Sequence, residues 1–79
     1  MKVTTDATYI TARTAAFAAY EQERDLSLKR KERDEYKEGD FERVRDAQRA
    51  EYVAAMGRAY ADFEAREARQ LIAAAAASN

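Results

Sequence analysis

The sequence predicts an all-α fold, a two-helix antiparallel hairpin that assembles as a homodimeric helical bundle. Three observations carry this expectation. Apolar residues recur at steps of three and four through most of the chain, the spacing that gathers side chains on one face of an α-helix. Proline is absent and glycine occurs only at positions 39 and 57, so breaks are few. One of those glycines sits in Glu38-Gly39-Asp40, at the middle of the chain, where a helix end and a helix start are both encoded.

Helix 1 is expected over about residues 6–37. Thr4, Thr5 and Asp6 are all suited to cap its first turn through a side-chain oxygen. Its apolar stripe runs through Tyr9, Ile10, Ala16, Phe17, Tyr20, Ser27 and Leu28 and then fades. From Lys29 to Glu38 the pattern reads as a solvated helix braced by Asp25 with Lys29, Arg30 with Asp34 and Lys31 with Glu35. At the turn, residues 38–40, Gly39 suits the left-handed position past a helix end and Asp40 the N-cap of the next helix. So short a connection makes the helices antiparallel neighbours, with facing residues whose numbers sum to about 79. That register sets Tyr20 against Ala59, Tyr52 against Ser27, Tyr9 and Ile10 against Leu71 and Ile72, and Arg13 level with Glu67. Large side chains then meet small ones, as interdigitation requires.

Helix 2, over about residues 41–75, is apolar on two sides. Phe41, Val44, Gln48, Tyr52, Ala55, Met56, Ala59 and Phe63 form the face expected to meet helix 1. On the other side Ala47, Ala50, Ala54, Gly57, Ala61, Ala65, Ala68 and Ile72 form a small-residue ridge along which a second helix could approach closely. A symmetric pairing of this ridge with its own copy predicts a dimer interface of Ala50, Val53, Ala54, Gly57, Tyr60 and Ala61. The competing expectation is an exposed ridge, because alanine is the best helix former and is common on solvated faces.

Composition narrows the function. Residues 1–79 make one small domain, close to the size at which a single core barely holds a chain together. Cysteine and histidine are both absent, which removes disulfides, thiolate chemistry, ordinary zinc sites and imidazole catalysis. Two distant glycines make no phosphate loop, and the carboxylates lie off the apolar stripes, so no catalytic, cofactor-binding or metal site is expected. Charged residues form 37% of the chain, yet the net charge is −1, a mixed-sign surface unlike that of a nucleic-acid binder. No apolar run is long enough for a membrane span or a secretory leader, which makes the cytoplasm the expected compartment.

These exclusions lead to a small non-enzymatic protein-binding module, a homodimeric inhibitor or regulator that blocks a surface of a larger protein, as phage and bacterial inhibitors do. The expected target contacts are Leu26, Lys29, Arg30, Arg33 and Tyr36, where the core stripe fades. Two alternatives stand beside it. One is a nucleic-acid-associated accessory protein using the basic residues near the turn, and the other is a purely structural oligomerisation element.

Overall fold

The computed structural model describes residues 6–78, which form two antiparallel helices, α1 (Ala7–Glu32) and α2 (Asp40–Ala77), in a rod measuring 66 × 19 × 18 Å. Thr4 and Thr5, two of the three candidate caps, lie outside the described residues. The third performs the role: Asp6 has extended backbone and its Oδ1 accepts a hydrogen bond from the Tyr9 backbone N–H at 2.8 Å.

Helix α1 ends five residues earlier than the sequence pattern suggests. Its last carbonyls are closed by a Schellman arrangement in which the Asp34 N–H donates to the Lys31 carbonyl at 2.9 Å and the Glu35 N–H to the Arg30 carbonyl at 3.0 Å. This needs a left-handed residue, and Asp34 supplies it with φ 57°. Aspartate tolerates that conformation better than most side chains because its carboxylate is short and polar. The reward for stopping early is Tyr36, which turns back against Phe41 with ring centroids 5.9 Å apart and receives the Arg30 guanidinium over its face at 4.9 Å. On a continued helix that ring would stand in water. Gly39 is left-handed as expected, φ 84°, but it is the N-cap of α2 and not the end of α1. Asp40 therefore falls in the first turn, where its negative charge suits the helix N-terminus and its carboxylate pairs with Arg43.

The longer connection changes the register. Tyr9 stacks on Phe63 at 4.8 Å, Tyr20 packs on Tyr52 at 5.0 Å, and Asp6 pairs with Arg66, all pairs whose numbers sum to 72. The expected opposition of large and small residues is replaced by aromatic pairs, each worth about 0.5–1.5 kcal/mol beyond the area it buries. Arg13 lies over the Tyr9 ring at 5.3 Å instead of beside Glu67. The bracing pairs near the turn shift too: Arg30 and Arg33 reach Glu35 at 3.8 and 3.7 Å, Lys31 sits over the Phe41 ring, and Asp25 meets Arg24. Leu71 and Ile72, expected against Tyr9 and Ile10, are 70% and 69% exposed on the part of α2 that runs past the start of α1.

Two polar ties hold this register. Gln48 Nε2 donates to Ser27 Oγ at 2.6 Å and to the Glu23 carbonyl at 3.2 Å, while the Ser27 hydroxyl donates to that same carbonyl at 2.9 Å. Satisfied in this way, a serine and a glutamine can occupy the inner stripe without leaving a buried polar atom unpaired. At the open end Arg66 grips Asp6 with two hydrogen bonds, 3.1 and 3.0 Å, so the residue that caps α1 also clamps it to α2. The Arg66 guanidinium, followed by the Tyr9 N–H, holds the Asp6 carboxyl below its ordinary value of 3.8.

Two measurements follow from the turn and the clamp. Replacing Asp34 by Gly relieves the left-handed strain and raises stability by up to about 1 kcal/mol, read as a higher urea midpoint. Because folding lowers the Asp6 pKa, its contribution is complete above the unfolded-chain value of about 3.9 and is lost as the pH falls through the lower folded-state value. Thermal unfolding between about pH 5 and pH 2 should therefore show a drop in melting temperature that is shallower in Asp6→Asn.

Candidate interaction surface

The hairpin buries little of what the sequence makes apolar. Among the described residues only Ala59 and Ser27 are fully buried, each 6% exposed, and no large side chain is completely enclosed. The eight positions of the predicted inner face of α2, from Phe41 to Phe63, are all buried or half-buried. The ridge behind them, including Ala50, Ala54 and Ala61, is exposed. A β-carbon placed on Gly57 would meet nothing within 4 Å.

The exposed large residues are not scattered. On α1 the stripe consists of doublets, Tyr9-Ile10, Ala16-Phe17 and Ser27-Leu28, and consecutive helical residues point about 100° apart. The first member of each doublet faces α2 and is buried or half-buried, while the second, 42–47% exposed, turns to one side of the hairpin. Helix α2 repeats the arrangement with Val53, Tyr60 and Leu71, which follow one another at the same intervals of seven and eleven as Ile10, Phe17 and Leu28. Both intervals are close to whole numbers of turns, so each trio shares a face. An open cleft of about 410 Å³ lined by Ile10, Arg13, Thr14, Phe17, Tyr52 and Met56 shows that the α1 stripe and the side of α2 carrying Met56 lie on the same broad face, called the front below. The periodicity was legible in the chain as a stripe two residues wide, but without a register the second residue of each doublet is indistinguishable from core.

Of the predicted dimer interface, Val53 and Tyr60 stand towards the front, whereas Ala50, Ala54, Gly57 and Ala61 lie on the pole of α2 directed away from α1. Tyr60 also touches Tyr9 edge-on and Phe63 at a tilt, both at 6.3 Å, which holds its ring at the margin of the core. The predicted target contacts divide differently. Leu26 is 54% exposed and continues the step from Ala19 and Glu23 to Arg30, along the back of the hairpin. Lys29 and Arg33 are exposed beside it, while Tyr36 is half-buried under Arg30.

Four of the basic residues near the turn are locally matched. Arg30 and Arg33 share Glu35, Arg43 pairs with Asp40, and Arg45 reaches Asp46 at 3.5 Å. Such exposed pairs add little stability, but they cancel the field that would draw a phosphate backbone. No group of three or more carboxylates, histidines or cysteines is gathered for a metal ion among the described residues, and among these no helix is long and apolar enough to cross a membrane. No protein family, curated protein or solved structure matches this chain. A chain whose basic tip is self-neutralised should leave duplex DNA unshifted in a gel at low as well as moderate salt.

Proposed function

We propose that the protein is a non-enzymatic, homodimeric protein-binding module that acts by occupying a surface of a larger protein, in the manner of a small inhibitor or regulator. The observation that carries this reading is the surplus of apolar front face on a hairpin that encloses almost nothing. Monomeric soluble proteins seldom leave contiguous large apolar side chains to water, and such patches mark association sites. The absence of histidine and cysteine supports a role in binding over one in chemistry.

The two sides of the hairpin suit two tasks. The front offers aromatic and branched side chains in a regular stripe, the composition of a subunit interface. At the back of the turn end, Leu26 is set among Lys29, Arg30 and Arg33, an apolar anchor rimmed by charges of both signs that suits a target surface of complementary charge. Joined through their fronts, two hairpins leave both of these back patches open.

The reading is tested by affinity capture with purified protein and with a Leu26→Asp, Arg30→Glu variant. A specific protein retained by the parent and lost by the variant, with the oligomeric mass of both unchanged in the ultracentrifuge, is the expected result. Retention of no protein by either overturns the target-binding role.

A further inference from the structure

We infer that two copies pair front to front with their turns at opposite ends, about a two-fold axis that crosses α2 at Met56 and Gly57. The inference rests on the homodimeric reading above and specifies its geometry. Helix α2 is self-complementary about that point: Arg49 and Glu64 stand at equal distances on either side, as do Val53 and Tyr60. Laid antiparallel on its own copy, Val53 meets Tyr60 and Arg49 meets Glu64, each pair formed twice. Neither Arg49 nor Glu64 takes part in an ion pair among the described residues, so both charges are available. The reverse arrangement, with both turns at one end, brings the arginines 24, 45 and 49 of each copy towards those of the other, and like charges across an interface are costly.

Length argues the same way. Helix α2 has 38 residues against 26 in α1, and Gly57 lies near its middle. Pairing about Gly57 sets the overhanging end of α2 level with the start of α2 in the second copy, so that Leu71, bare in its own hairpin, comes beside the residues around Phe41 and Glu42. About that axis α2 overlaps its copy over residues 40–73 and α1 its copy over residues 7–24, about 50 and 27 Å at a rise of 1.5 Å per residue, each along half of the 19 Å width of the rod. That is on the order of 700–800 Å² per copy, the size of a standard stable interface.

The test uses the full chain, which has no cysteine of its own. Met56→Cys sets a thiol on the front beside its symmetry mate, and mild oxidation should convert most of the protein to a covalent dimer, while Arg58→Cys, turned to the back, should not. Sedimentation equilibrium supplies the second arm. Arg49→Glu or Glu64→Arg alone should raise the dimer dissociation constant by about tenfold or more. Both together restore it to within about threefold, because each new pair is again of opposite sign. Equal cross-linking of the two cysteine variants, or a double swap no better than the singles, overturns the geometry. Target capture by the covalent Met56→Cys dimer is read separately, so a failure there falls on the binding role and not on the pairing.

Discussion

The place where α1 stops decides nearly everything else in this molecule. Asp34 takes a left-handed conformation, the Arg30 and Lys31 carbonyls are satisfied by the two amides that follow the helix, and Tyr36 is drawn back onto Phe41. With that end fixed at Glu32 and the next start at Asp40, the helices can only meet in the register in which Tyr9 reaches Phe63 and Tyr20 reaches Tyr52. A single residue of left-handed backbone thus selects which side chains form the core. It also leaves the end of α2 beyond the start of α1, without a facing helix among the described residues.

The register is then locked by polar groups more than by volume. A two-helix hairpin has one seam, and aromatic stacking along it has little shape specificity, since neighbouring turns present similar rings. The Gln48–Ser27–Glu23 tie and the Asp6–Arg66 clamp are specific, because a shift of one turn would take the Gln48 amide from its acceptors on α1 or separate a two-hydrogen-bond ion pair. These contacts sit at either end of the aromatic stretch and define its length. Buried polar groups used in this way trade some stability for a unique arrangement.

What the hairpin leaves open follows from the same geometry. Tyr9, Ala16 and Ser27 on the inner side of α1 are each followed by a large apolar residue about 100° further round, and a two-helix structure has no third or fourth helix to receive it. Such a stripe is the expected surface of a subunit that completes its core by association, as helical bundles built from two hairpins do. Charges of both signs cover much of the rest of the surface.

The sequence by itself determined the helices, the location of the reversal and the inner face of α2, because these depend on local spacing and on the few residues that interrupt a helix. All eight positions from Phe41 to Phe63 assigned to that face are buried or half-buried. It did not determine the end of α1, since Arg33 to Glu38 carries no proline or glycine and continuing the helix is locally acceptable. Only tertiary contact decided that point: Tyr36 gains more by returning to Phe41 and Arg30 than it would by extending into water. The difference between the inner and outer member of each doublet on α1 was settled at the same step, because a helix's own periodicity marks a stripe and only a neighbour in register shows which edge of it is covered.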